Sequence, residues 1–70
     1  MPRISLLSSA LEAVDYDDEQ QRLDVELKTG RAYRYFDVPR SAFHALLAAK
    51  SKGGFYNDHI RDVYEYVRLR

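Results

Sequence analysis

The clearest pattern in the chain is the strict alternation of apolar and polar residues from Arg22 to Lys28, in the order Arg-Leu-Asp-Val-Glu-Leu-Lys. A period of two belongs to a strand with one wet face, so Leu23, Val25 and Leu27 face a core and Asp24 and Glu26 face water. The same period begins more loosely after Leu11, where Val14 and Tyr16 alternate with Ala13 and Asp15, and predicts an earlier strand. The acidic run Asp17 to Gln21 joins the two as a turn. A third strand lies within Gly30 to Pro39, where Tyr33, Tyr35, Phe36 and Val38 stand between a turn glycine and a helix-starting proline.

The turn at Thr29-Gly30 sets the register of this hairpin. A two-residue type I′ turn needs positive φ at both residues, which a β-branched threonine resists. A three-residue loop, Lys28-Thr29-Gly30, with Gly30 as the left-handed bulge residue, avoids that strain. It places Val25 opposite Tyr33, Leu23 opposite Tyr35 and Asp24 opposite Arg34. The two-residue alternative would set Arg34 beside Val25 on the apolar face. Tyr33 and Tyr35 are therefore expected on the core side, with their hydroxyls reaching its edge.

Val38-Pro39 predicts the start of a helix, with Pro39 at the first helical position and Val38 as the extended cap. From Arg40 to Lys52 the positions Ala42, Phe43, Leu46, Leu47 and Ala49 recur at helical spacing. Lys50 and Lys52 suit the negative end of the helix dipole, and Gly53 is the expected C-cap. Residues 55–61 read as a short second helix, with Phe55, His59, Ile60 and Val63 on one side. Residues 64–69 alternate as well, and are read as either a continued helix or an extended segment joining the sheet. The expected fold is thus α+β: a three-stranded antiparallel meander, with a candidate fourth strand at the C-terminus, packed on one main helix and a short second one. The expected core is Val14, Tyr16, Leu23, Val25, Leu27, Tyr33, Tyr35, Phe43, Leu46, Leu47 and Ile60.

Composition adds bounds to this picture. The 70 residues form one expected domain, residues 1–70, with 46% hydrophobic residues, six tyrosines and no cysteine. Such a chain affords a thin core with no disulfide or thiolate metal site to brace it, which makes a partner surface or a dimer contact a reasonable expectation. No apolar run approaches the ~20 residues of a membrane span, and Leu6-Leu7 is too short for a signal-peptide core, so the cytoplasm is the expected compartment. The formal net charge of zero hides an uneven distribution. Residues 1–26 hold seven acids against two bases, and residues 27–70 hold nine bases against four acids. Two readings follow: the halves attract each other within the fold, or the basic half meets an anionic partner.

The order of hairpin, Tyr-x-Tyr strand, Val-Pro, helix and the run from Ser51 to Ile60 resembles the KTSC family, small domains named for the C-terminus of some lysyl-tRNA synthetases. The residues that carry the resemblance are Ser8-Ser9, Val14 to Asp17, Gly30, Tyr33-Arg34-Tyr35, Val38-Pro39, Leu46-Leu47, Ser51-Lys52-Gly53, Phe55 to Asn57, and Ile60. The resemblance implies a small module whose function is not established, and for which fusion to a synthetase has suggested RNA binding.

The chemistry available is that of binding. Phosphates call for lysine and arginine, and unstacked bases call for aromatic rings. The candidates are Arg31 at the hairpin, Lys50 and Lys52 near the helix end, Tyr56, Asn57, His59 and Arg61 beyond it, and Arg68 and Arg70. Lys52-Gly53-Gly54 ahead of a helix could also turn backbone N–H groups toward a phosphate, although a glycine pair is more often a plain helix stop. An isoelectric point near 6.7 lies below that of dedicated nucleic-acid binders. Catalysis is not expected: His44 has no carboxylate one helical turn away, His59 has only its neighbours Asp58 and Asp62, and the serines carry no nucleophile signature. Two separated histidines without cysteine make no metal pattern, and no cofactor is expected. The other reading is a protein-interaction or self-associating module, with Tyr16, Tyr64 and Tyr66 as candidate contact surface and RNA or a second protein as the partner.

Overall fold

The computed structural model describes residues 3–6 and 8–70. It contains five strands and two helices: β1 (Ile4–Ser5), β2 (Leu11–Asp17), β3 (Arg22–Leu27), β4 (Ala32–Tyr35), α1 (Arg40–Ala48), α2 (Lys52–His59) and β5 (Tyr66–Arg68). The strands form one antiparallel sheet in chain order, β1 to β5, and both helices pack on one face of it. The α+β expectation holds. The sheet has two more strands than the basic meander: residues 66–68 supply one as expected, and β1 was not foreseen.

The hairpin follows the three-residue loop. The backbone N–H of Leu27 donates to Arg31 O at 2.8 Å, that of Gly30 donates to Leu27 O, and Gly30 has φ of 95°. Leu23 pairs with Tyr35, Asp24 with Arg34 and Val25 with Tyr33, as the turn chemistry requires. On the face away from the helices, Arg34 donates through Nε and Nη2 to both carboxylate oxygens of Asp24, at 2.8 and 3.0 Å. At the β2–β3 turn, Asp17 Oδ1 accepts from the backbone N–H groups of Glu19 and Gln20. Those bonds, with Arg22 adding a further donor, hold the Asp17 carboxyl below its ordinary value.

The core lies between the sheet and the helices. Val14, Tyr16, Leu23, Val25 and Tyr35 of the sheet meet Phe43, Leu46, Tyr56 and Ile60 of the helical layer, all buried. Tyr16 stacks on Phe43 at 4.6 Å between ring centres, and its hydroxyl donates to Val38 O at 2.6 Å. Burial raises that phenol above its ordinary value. This removes Tyr16 from the expected contact surface. Leu27, Tyr33 and Leu47 pack against the core but stay half-buried. Leu6, Leu11 and Val38 join it without having been expected there.

The helical layer differs from expectation at its boundaries. Pro39 is the extended N-cap residue, with φ −69° and ψ 153°, and Arg40 opens the helix. The main helix stops at Ala48 rather than at Lys52, because Ser51 caps a second helix: its Oγ accepts from the Gly54 N–H at 3.1 Å. Gly53 is therefore not a C-cap but lies in the first turn of α2. A Cβ there would stand 3.0 Å from that of Ala10, so glycine lets α2 approach the β1–β2 connection. Lys52 still serves the C-terminus of α1, since its Nζ donates to Ala49 O at 3.1 Å. The face that α2 buries carries Tyr56 and Ile60; His59 and Val63 are exposed.

Candidate functional site

The hairpin turn, β4, β5 and α2 enclose a groove on the helical side of the sheet, with a volume of about 620 Å³. Its construction follows from the register. Gly30 turns the chain so that Arg31 stands at the lip, and β4 then points Tyr33 and Tyr35 to the helical face. Pairing of Tyr35 with Tyr66 brings β5 alongside with its own ring on that face. Tyr66 meets Tyr33 edge-on and Tyr35 at a tilt, each with 5.6 Å between ring centres. The far wall is α2, whose Asn57 and Arg61 are one turn apart; Arg61 Nη1 donates to Asn57 Oδ1 at 3.2 Å.

The groove has a hard floor and a charged rim. Tyr35 and Tyr56 share a short hydrogen bond between their buried hydroxyls. Desolvation raises both phenols above their ordinary value, and in Tyr35 the bond to Tyr56 adds to the effect. Both are thus neutral donors and acceptors that brace β4 against α2. At the rim, Tyr66 is 54% exposed, leaving much of its ring available for contact.

Among the described residues, six of the eleven basic side chains form ion pairs: Arg3 and Arg70 with Glu26, Arg22 with Asp17, Lys28 with Glu12, Arg34 with Asp24, and Arg40 with Asp18. The five without a carboxylate side-chain partner are Arg31, Lys50, Lys52, Arg61 and Arg68, all of them candidates from the sequence; the sixth basic candidate, Arg70, is engaged by Glu26. Arg31 and Arg61 line the groove. Arg68 lies opposite Tyr33 in the register, so its side chain is on the groove's face of the sheet. A smaller hollow of about 310 Å³ on the opposite face has Arg3 and Arg70 at its rim, but both are engaged by Glu26. The helical-side groove therefore carries two guanidinium groups free of carboxylate partners, Arg31 and Arg61, against one carboxylate without a basic partner, Asp62.

The other candidates are dispersed. Lys50 is exposed in the link between the helices, and Lys52 is half-buried with its ammonium on Ala49 O. His59 is exposed, packs its ring on Phe55 and does not line the groove. Tyr56 lines it but is only 6% exposed, so its ring is a wall and not a stacking platform. The rings that sequence reasoning left out of the binding set are Tyr33 and Tyr66. The signal that finds them is the register, because Tyr66 alternates with Tyr64 and Arg68 as Tyr33 does with Tyr35. His44 is exposed, and among the described residues no three metal-ligating side chains converge.

Comparison with known proteins bears on the whole of this arrangement. The family model of the KTSC domain matches residues 7–64. The chain belongs to the KTSC domain family. An uncharacterised protein of Stutzerimonas stutzeri is 43% identical over 70 residues, covering 99% of both chains. A lysine–tRNA ligase of Nostoc punctiforme is 31% identical over 68 residues, which is 97% of this chain and 12% of that ligase. The crystal structure of a KTSC domain protein from Yersinia pestis superposes with a TM-score of 0.91 at 26% identity, covering 99% of this chain and 97% of the other. The strand order and helical layer described above are thus those of a KTSC domain. No described helix of this KTSC domain is long and apolar enough to cross a membrane.

Proposed function

We propose that this KTSC domain is a non-catalytic binding module that takes single-stranded RNA in the groove between the β3–β4 hairpin and α2. The observation that carries the reading is the placement of cations without a carboxylate side-chain partner: Arg31 and Arg61 stand at the groove and Arg68, whose Nε donates to Arg70 O, borders it, around the exposed ring of Tyr66. Guanidinium groups free of carboxylates can release counterions from phosphates, and an exposed ring can stack on an unpaired base. The relationship to part of a lysine–tRNA ligase supports the same ligand class, since that enzyme works on an RNA. With zero formal net charge and only a few contacts, the affinity is expected to be modest and steeply salt-dependent. The cytoplasm is the compartment that this reading implies.

The test is binding of a labelled, unstructured oligoribonucleotide, followed by anisotropy across a series of salt concentrations. The wild-type domain is expected to bind in low salt. Arg31→Glu with Arg61→Glu should weaken binding at least tenfold and flatten the salt slope by about two. These residues are preferred to Lys52, whose ammonium also closes the helix junction. Absence of binding by the wild-type domain in low salt would overturn the proposal. A second reading, a self-associating module, draws on a separate observation at the sheet edge.

A further inference from the structure

We infer that β5 is a self-pairing edge, through which two copies of this domain join antiparallel about a two-fold axis at Val67. The inference does not depend on RNA binding. Among the described residues strand β5 closes the sheet and has no neighbour on its outer side, whereas the opposite edge, β1, is only two residues long. Phe36 N–H donates to Glu65 O and Leu69 N–H donates to Ala32 O, so residues 65, 67 and 69 turn their backbone groups inward to β4. Tyr66 and Arg68 therefore turn theirs outward, as an open template for another strand. The exposed apolar surface gathers on the same segment: Tyr66 is 54%, Val67 47% and Leu69 44% exposed. Neither proline nor a lysine blunts this strand.

A second copy fits because the segment complements itself in one register. Centred on Val67, Tyr66 of each copy meets Arg68 of the other, and each pair exchanges two backbone hydrogen bonds. That meets all the outward-facing backbone groups of both strands. The side chains agree with the backbone. Tyr66 and Arg68 both lie on the helical face, opposite Tyr35 and Tyr33, so each Arg68 guanidinium, held through Nε by Arg70 O at 2.9 Å, would lie beside a partner's exposed ring. On the other face, the two Val67 side chains meet in a non-hydrogen-bonded pair, where side chains approach most closely. Neighbouring registers are worse. Centring on Arg68 sets like charges directly opposite. Centring on Tyr66 requires the N–H of Tyr64, which already donates to Ile60 O. Because Tyr66 lines the groove, the dimer would also set two grooves side by side.

An edge contact of this size is small beside stable interfaces, so a monomer–dimer equilibrium is expected and not a permanent dimer. Sedimentation across a hundredfold range of protein concentration should show the wild-type mass rising toward twice that of the monomer. Arg68→Pro removes one outward N–H without touching the ladder to β4, and should hold the protein monomeric with unchanged circular dichroism. The chain has no cysteine, so register can be read by crosslinking. Under mild oxidation Val67→Cys should give disulfide-linked dimer at least tenfold faster than Leu69→Cys, whose counterpart across the axis is Glu65. Three results would overturn the inference: a wild-type monomer at every concentration, open-ended assemblies of β5 on β1, or equal crosslinking at positions 67 and 69. The crosslinking comparison decides even if Arg68→Pro fails to fold.

Discussion

Among single residues, Tyr35 and Tyr56 define how this domain is locked. Each hydroxyl is the other's buried partner, linking β4 to α2 across 21 residues of sequence. Tyr56→Phe would leave the Tyr35 hydroxyl buried and unsatisfied, and Tyr35→Phe would do the converse. Each single variant is expected to lose about 1–3 kcal/mol in urea unfolding. The double variant should lose clearly less than the sum, because no polar atom is then stranded. A strictly additive cycle would contradict the coupling. The two residues were unequally legible. Tyr35 could be placed from the turn at Gly30, which fixed its register opposite Leu23. Tyr56 sits among Asn57, Asp58 and His59, a polar context that resembles a surface. Its partner is distant in sequence, and nothing local announces it.

At the scale of elements, local chemistry set the hairpin, while competition between caps set the helices. The alternation in β3 and the strain that a tight turn would place on Thr29 were enough to give the pairing of β3 with β4. The Ala-Ala-Lys-Ser-Lys run favours continued helix by propensity, yet α1 ends at Ala48 because the Ser51 side chain offers α2 a start. Propensity differences of a few tenths of a kcal/mol per residue lose to a cap of about 1 kcal/mol. Ser51→Ala should accordingly cost about 1 kcal/mol by chemical denaturation, with the loss of helical circular dichroism confined to a few residues. β1 was invisible for a different reason: two residues carry no period, and only pairing of Ile4 with Val14 and Ser5 with Ala13 defines it.

For the molecule as a whole, the uneven charge resolves largely inward. Four of the six ion pairs among the described residues join the acidic first part to the basic second: Lys28–Glu12, Arg34–Asp24, Arg40–Asp18 and Arg70–Glu26. That attraction was legible in the sequence. Which cations it leaves over was not, because partner choice needs the register and the loop geometry. A second whole-molecule property is alkaline behaviour. Tyr16, Tyr35 and Tyr56 are held above the ordinary phenol value near 10, chiefly by desolvation, whereas in the unfolded chain they would ionise there. The folded state thus keeps protons that the unfolded state releases. Their contribution to stability is intact below pH 10 and is lost as pH rises beyond it. An ultraviolet titration should show these three phenols ionising late, in one step with the loss of circular dichroism. Smooth ionisation of Tyr16, Tyr35 and Tyr56 near the ordinary value with the fold retained would contradict this burial.

The sheet order follows the chain order, and this governs how the fold is reached. From β1 to β4 each strand pairs with its immediate predecessor across a short turn, so these contacts require little loop closure. β5 alone must return over both helices, from Tyr35 to Tyr66, before it meets β4. The meander can therefore assemble early and offer its apolar face to α1 and α2, while β5 docks last. In the native state the same asymmetry makes β5 the first strand to be released in local opening. Its amide hydrogens then exchange with solvent ahead of those in the rest of the sheet.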